Sequence, residues 1–191
     1  MNKIKILLLC VIILLASFNF SIVNAEENQY KISGYIDSDF SYASDNFKSG
    51  FLVELVGSSI QAVSDSSGYF ELDNVPFNSS GYTIKISKDV YLSREITGVK
   101  VTGNLELGSK TEPVKMWAGD FKVNGVRDNA INMIDIVQVA KSFGNIYLEY
   151  RQYCPETDIN GDLTVNMADV IILAKHFNQT PANYPEPTII I

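Results

Sequence analysis

The sequence predicts two domains, an all-β sandwich or barrel followed by a small all-α domain built from two loop–helix repeats. Between residue 30 and about residue 115, short runs rich in β-branched and aromatic residues alternate between apolar and polar positions. From Met116 onward the apolar residues recur at helical spacing. The segment at 131–144 also matches the segment at 165–178 at a constant offset of 34 residues, which is typical of a duplicated unit whose halves pack together.

The N-terminus has the pattern of a secretory leader. Two lysines precede an apolar run over residues 6–16, and residues 23–25 include the small side chains that signal peptidase requires. We therefore expect residues 1–25 to be a signal peptide and the mature protein to be secreted, either extracellular or attached to the cell surface. A membrane anchor is the alternative, but polar residues between positions 19 and 24 interrupt the apolar run before it suits a membrane span.

Composition argues against several functional classes. The chain has 15 Lys and Arg against 22 Asp and Glu, a net charge of −7, which disfavours nucleic acid because phosphates need a basic surface. With Cys10 in the leader, Cys154 has no partner for an internal disulfide, so a bound metal is the alternative staple for a small secreted domain. We find no acid–base pair or nucleophile cluster of the kind a hydrolase uses, and we predict that the chain is not an enzyme.

The N-terminal half divides into short strands separated by turn residues. The turn at residues 65–68 and the breaks at 75–77 and 78–81 are rich in Asp, Asn, Ser, Gly and Pro. The predicted strands between and around them cover residues 51–56, 59–64, 68–72 and 82–87. Phe40, Tyr42 and Tyr91 are candidates for an exposed sugar-binding surface, although aromatic residues in a sandwich more often belong to its core. A secreted carbohydrate-binding protein is therefore the alternative function.

The second repeat opens with a twelve-residue loop of the EF-hand type. Calcium takes six to eight oxygen ligands, and such a loop presents alternate side chains inward together with the main-chain carbonyl of position 7. The candidate ligands at positions 1, 3, 5, 7, 9 and 12 are Asp158, Asn160, Asp162, Thr164, Asn166 and Asp169. Two features depart from the usual loop: Leu163 replaces the glycine of position 6, which needs a positive φ, and position 12 is Asp rather than Glu.

The first loop is compatible with two registers. Counting back from Asp135 as position 12 places Asn124 at position 1, but it also places Val126, which has no side-chain ligand, at position 3. Starting instead from Asp120 requires about four inserted residues. The candidate ligands are therefore either Asp120 or Asn124, together with Asp128, Ala130, Asn132 and Asp135.

These motifs resemble a known pair of modules. "WAGDFKVNGVRDNAINMIDIVQVAKSFG" (117–144) and "DINGDLTVNMADVIILAKHF" (158–177) resemble a dockerin, and the run from residue 50 to residue 101 resembles the X module that precedes type II dockerins in cellulosomal scaffoldins. The resemblance implies an immunoglobulin-like sandwich over 26–115, a dockerin with two Ca²⁺ ions over 116–180, and a tail over 181–191. It also implies that the partner is a type II cohesin, carried by a scaffoldin or a cell-surface anchoring protein.

The helices that follow the loops have more apolar residues than one core stripe needs. We expect the core stripe to hold Ile136, Val139, Ala140 and Phe143 in one repeat and Val170, Leu173, Ala174 and Phe177 in the other. The residues outside that stripe predict a cohesin-binding surface, unless they pack on the sandwich. They are Met133, Ile134, Val137, Lys141, Met167, Ile171, Ile172 and Lys175.

Overall fold

The computed structural model describes residues 28–42, 47–147 and 154–191, so the expected signal peptide lies outside the described residues. The first strands are β1 (Gln29–Ser38), β2 (Leu52–Leu55), β3 (Gln61–Val63), β4 (Tyr69–Pro76), β5 (Asn78–Ser87) and β6 (Val90–Tyr91). They are followed by β7 (Arg94–Val101), β8 (Leu105–Leu107), β9 (Val114–Met116) and β10 (Ala118–Asp120). Helices α1 (Met133–Ser142) and α2 (Met167–Lys175), a 3₁₀ turn (Pro181–Asn183) and β11 (Ile189–Ile190) complete the order.

Two sheets form the predicted sandwich. One has the order β11-β8-β1-β4, with β9 also pairing with β1, and the other has the order β3-β2-β5-β7. Alternate residues along each strand are buried, for example Val53 and Leu55 in β2 and Ile84 and Ile86 in β5. This alternation brings the apolar faces of the sheets together, as the period-two pattern predicts. The β-sandwich prediction is therefore confirmed.

The boundary between β4 and β5 differs from the predicted one. Both strands run further than expected, so that only Phe77 separates them. The amide oxygen of Asn78 accepts hydrogen bonds from the main-chain N–H groups of Ser80 and Gly81, and the pairing of β5 with β7 is irregular there. The Asn-Ser-Ser-Gly segment is thus an irregularity inside a strand rather than a break between strands.

Each helix begins at an asparagine of the repeated motif. Asn132 and Asn166 cap α1 and α2, and Asp135 and Asp169 complete the capping boxes by accepting from the cap N–H groups. The structure is mostly β with these two helices, whose buried residues Val139 and Leu173 belong to one core continuous with that of the sandwich. A separate all-α domain therefore stays a prediction.

A stack of rings joins the helices, the sandwich and the C-terminal segment. Trp117 stacks on both His176 and Tyr184, and the centroid of its ring lies 4.3 Å from that of His176 and 4.0 Å from that of Tyr184. The Tyr184 hydroxyl donates to the carbonyl of Leu92 and accepts from the N–H of Trp117. Buried Arg94 stacks on Tyr184 and donates to the carbonyl of Pro185. The segment predicted as a tail thus returns to the sandwich and adds β11 to β8.

Candidate metal loops and interaction surface

The second loop has the backbone that the spacing of its acidic residues predicts. The Asp158 carboxylate accepts hydrogen bonds of 2.9, 3.2 and 2.9 Å from the N–H groups of Gly161, Asp162 and Leu163, so the chain turns tightly around it. Leu163, at position 6, has a φ of 69°, the left-handed conformation for which EF-hand loops normally use glycine. The structure therefore places a strained leucine at that position, as expected from the motif.

Oxygen-bearing groups of the second loop lie next to one another. The Asn160 amide nitrogen is 3.0 Å from an Asp162 carboxylate oxygen, and the Asn166 amide nitrogen is 3.3 Å both from that oxygen and from the Thr164 carbonyl. Asp169 is fully buried and accepts from the N–H groups at positions 2, 3 and 9 of the loop. An asparagine amide can donate from its nitrogen to a carboxylate, and after a 180° flip its oxygen can bind a cation. The Asn and Asp side chains of this loop are therefore suited to a cation site.

The hydrogen bonds of the first loop favour Asp120 as its position 1. Asp135 accepts from the N–H of Phe121 at 2.8 Å, just as Asp169 accepts from the N–H of Ile159 at 2.7 Å. Each donor directly follows the acidic residue that opens its loop, which makes Asp120 the counterpart of Asp158. The Asn132 amide nitrogen also contacts Asp128 at 2.7 Å, as its counterpart in the second loop contacts Asp162.

Asn124, the alternative for position 1, lies in a tight turn. Asn124 and Gly125 have φ values of 53° and 82°, and the N–H and carbonyl groups of Val123 and Val126 pair at 2.9 and 3.1 Å. This is a two-residue hairpin connection, for which Asn-Gly is the preferred sequence. The additional residues of the first loop therefore form a small hairpin, which favours Asp120 over Asn124 as the residue at position 1.

Asp120 shows the clearest need for a cation. It is fully buried, and among the described residues neither of its carboxylate oxygens has a hydrogen-bond partner. Burial, and then the nearby Asp135 carboxylate, raise the pKa of Asp120 to about 7. Burial also raises the pKa values of Asp135 and Asp169. A buried carboxylate without a hydrogen-bond partner, such as that of Asp120, is costly. A hard divalent cation such as Ca²⁺ would supply the missing positive charge and ligand bonds.

The amide and main-chain oxygens are needed as well as the acids. In the part of the chain that the structure describes, no three His, Cys, Asp or Glu side chains are placed to hold a metal ion by themselves. The Asn side chains of both loops contact Asp128 and Asp162, and the Thr164 carbonyl contacts the Asn166 amide. Such a mixed oxygen set suits Ca²⁺ and disfavours the nitrogen- and sulfur-preferring transition metals. The expectation of two Ca²⁺ ions stays a prediction.

Five of the eight predicted cohesin-binding residues form exposed apolar positions. Met133, Ile134, Val137, Met167 and Ile171 are between 43% and 63% exposed, and Lys141 beside them is exposed too. Ile172 is instead partly buried and packs against the core. The Lys175 ammonium pairs with the carboxylate of Asp39 in the sandwich at 2.9 Å. The expectation of a free surface therefore fits the first repeat better than the second, because α2 lies against the sandwich.

Comparison with known proteins identifies the group to which this arrangement belongs. No protein-family model matches the chain. Two crystal structures of type II cohesin–X–dockerin complexes from Acetivibrio cellulolyticus, one an N-terminal and the other a C-terminal interface mutant, match 81% of this chain and 99% of theirs. Their TM-scores are 0.77 and 0.76, at 42% and 41% sequence identity. The chain belongs to the cohesin-, X-module- and dockerin-related proteins of the cellulosome.

Curated relatives place the cellulosomal chain among much longer proteins. Cellulosomal-scaffolding proteins B and A of Acetivibrio thermocellus are each 44% identical to it over 158 residues, 81% of this chain. The chain spans only 20% and 8% of the lengths of these two relatives. Among the residues that the structure describes, no helix is long and apolar enough to cross a membrane.

The core stripe of this cellulosomal module is shorter than the helical spacing predicts. Val139 and Leu173 are buried and Phe177 packs against the core, but Phe143 is 51% exposed. Helix α1 ends at Ser142, and Phe143 leaves it with φ −59° and ψ 131°, so the stripe does not extend to that residue. Ala140 and Ala174 are also exposed and lie on the outer sides of their helices. The assignment of these three residues to the core was therefore wrong.

The three aromatic residues proposed for sugar binding do not form an exposed platform. Tyr91 is buried with its hydroxyl 2.6 Å from that of Ser38, and Phe40 packs against the core. Tyr42 is half-buried and stacks on Phe47. A flat exposed face, which stacking on a sugar ring requires, is thus missing from all three. The placement of these three described residues therefore does not favour the carbohydrate-binding alternative.

The buried acid predicts that mild acid should stabilise the helical part of calcium-stripped protein. A carboxylate with a raised folded-state pKa binds more protons when folded, so its contribution is present at low pH and is lost as the pH rises through about 7. Melting of the stripped protein between about pH 5 and about pH 8 should show stability falling by up to about 1.4 kcal/mol per unit. Asp120→Asn should flatten this slope, and an unchanged slope would contradict the assignment.

Proposed function

We propose that the chain is a non-catalytic, calcium-dependent docking module, comprising an X module and a dockerin, that binds a type II cohesin. The observation that supports this most directly is the pair of exposed apolar helix faces at equivalent positions of the two repeats, with Met133 and Val137 on one and Met167 and Ile171 on the other. Exposed apolar residues on adjacent elements are typical of a protein interface. The related complexes are themselves described as type II cohesin–X–dockerin assemblies.

Calcium's role in this proposal is to fix the starting points of the helices. Asp135 and Asp169 belong to the helix caps and are also the last candidate ligands of their loops. Bound Ca²⁺ would neutralise the buried acids that otherwise repel one another. The capping residues would then hold Met133 and Met167, the first residues of the two helices, in one orientation. The orientation of the exposed apolar helix faces would thereby depend on Ca²⁺ being bound in the loops.

The two repeats contribute unequally to the proposed interface. Ile134 and Lys141 of the first repeat are exposed, whereas Ala168 and Ile172 of the second are half-buried, and Lys175 is paired with Asp39. A partner that approaches both helices therefore meets more free apolar surface on α1. We accordingly expect one dominant binding orientation, although an internal duplication permits two related by a half-turn.

This proposal places the protein outside the cell. Binding to a cohesin of a scaffoldin or an anchoring protein would attach it to a cellulosome or to the cell surface, and the names of its curated relatives support that setting. Contact with polysaccharide would then be indirect. We propose a role in binding rather than catalysis, which the naming of its curated relatives as scaffolding proteins supports.

The proposal is tested by measuring binding to purified cohesins of each type by calorimetry, in calcium and in excess chelator. We expect tight binding to a type II cohesin in calcium and a loss of at least about a hundredfold in chelator, because the presented surface depends on the loops. A cellulose pull-down in the same buffers provides the comparison with carbohydrate binding. Retention on cellulose without binding to any cohesin would overturn the proposal.

A further inference from the structure

The extra residues of the first loop reach the sandwich. Arg127 immediately follows the hairpin at 123–126, and its guanidinium donates to the carbonyls of Lys88 and Tyr91 at 2.7 and 3.1 Å. A third hydrogen bond, of 2.7 Å, joins Arg127 to the carboxylate of Asp89. Lys122, on the other side of the hairpin, pairs with the same carboxylate at 2.8 Å. Both ends of the hairpin are thus tied to the turn at residues 88–91.

The same turn also pairs with the strand that carries Asp120. In the small sheet of β6 and β10, Val90 lies opposite Asp120 and Tyr91 opposite Ala118. Val90 has a φ of 72°, which is a costly conformation for a β-branched residue and persists only where its surroundings hold it. The two carbonyls that Arg127 binds belong to residues on either side of Val90. Arg127 is therefore placed to hold this turn against the first loop.

Among the described residues, the second loop shows no equivalent of this Arg127 contact. At the repeat offset, Arg127 corresponds to Gly161, which has no side chain. A Cβ atom at Gly161 would lie 2.9 Å from the Phe47 ring, so the second loop meets the sandwich by close packing. Only the first loop combines an inserted hairpin with a guanidinium that binds main-chain carbonyls of the sandwich, among the residues described. The two loops are thus supported in different ways.

We propose that the turn at residues 88–91 of the sandwich supports the first calcium loop through Arg127, so that this loop binds calcium with full affinity only while it is docked on the sandwich. Arg127 is then a positioning residue and not a ligand. Because coupling is reciprocal, calcium in the first loop should stabilise the turn by the same factor by which the docked turn strengthens calcium binding. This inference rests on the proposed calcium binding and adds a role for the sandwich within it.

The test compares Arg127→Ala with the parent full-length protein by calcium calorimetry. Loss of charged hydrogen bonds to the sandwich should weaken one of the two binding events by about tenfold and leave the other unchanged. Arg127→Lys should give a smaller loss, because an ammonium keeps the pairing with Asp89 but cannot place one nitrogen on both carbonyls and a second on Asp89, as the planar guanidinium does. Lys31→Ala is the matched control, because Lys31 pairs with Glu71 and Asp73 of the sandwich and its removal should change neither event.

Hydrogen exchange supplies a second readout that does not depend on calorimetry. In calcium, Arg127→Ala should speed the exchange of amides in β6 and β10 relative to the parent, whereas Lys31→Ala should not. Parental affinities and exchange in Arg127→Ala would overturn this inference and leave the proposed function intact. Equal weakening of both calcium events would also overturn it, because that indicates general destabilisation. A parent protein that binds no calcium would instead reject the proposed function.

Discussion

Chelating calcium should remove most of the helical signal of this protein while leaving the β-sandwich folded. Most of the shared core belongs to the sandwich, whereas the helical part contributes mainly Ile131, Val139, Ile159, Val165 and Leu173 to the buried apolar residues. Three buried acids with raised pKa values, Asp120, Asp135 and Asp169, oppose that small contribution when no cation is present. At a calcium concentration about 100 times its Kd, each occupied site adds about 2.7 kcal/mol of stability, which is large beside so small a core.

Circular dichroism and fluorescence measure this effect in complementary ways. Far-ultraviolet dichroism reports the helices, and the emission of Trp117, the single tryptophan, reports the junction where it stacks between His176 and Tyr184. Excess chelator at about pH 7.5 should reduce helicity and shift the Trp117 emission, and added calcium should restore both. Asp169→Ala should reproduce much of the chelator effect in calcium. Helicity and a melting temperature that stay unchanged in chelator would refute the prediction.

Placing a charge on either helix face should weaken cohesin binding strongly. Val137 and Ile171 are 43% and 63% exposed and lie one helical turn beyond Met133 and Met167. A carboxylate at the desolvated centre of an interface costs more than about 2 kcal/mol, which corresponds to at least about a thirtyfold loss of affinity. We expect Val137→Asp to cause the larger loss, because Ile172, beside Ile171, is partly occupied in packing on the core.

A matched substitution separates loss of the interface from loss of folding. Val63 is 61% exposed on the edge strand β3 and offers the same valine-to-aspartate change away from both helices. Val63→Asp should bind a type II cohesin like the parent, while Val137→Asp and Ile171→Asp should keep parental dichroism and bind weakly. If both helix variants fold and bind normally, the helix faces are not the interface.

The strands, the repeat and the loops could be predicted because they depend on neighbours in the sequence. Alternation with period two determines which residues of β2 and β5 are buried. The helix starts follow from Asn132 and Asn166, whose caps use groups within three residues. The second loop follows for the same reason, since the carboxylate of Asp158 binds N–H groups three to five residues ahead.

Contacts between distant parts of the chain decided the remaining features. The preference for Asp120 over Asn124 as the candidate first ligand rests on an N–H group that reaches Asp135 from 14 residues away. The ion pair of Lys175 is made with Asp39, which is 136 residues distant in the sequence. No periodicity or capping motif encodes such contacts, because they arise only when the helices, the C-terminal segment and the sandwich pack together. The sequence by itself thus determined the repeated elements and the residue types at the candidate ligand positions, and packing decided which side chains remain exposed.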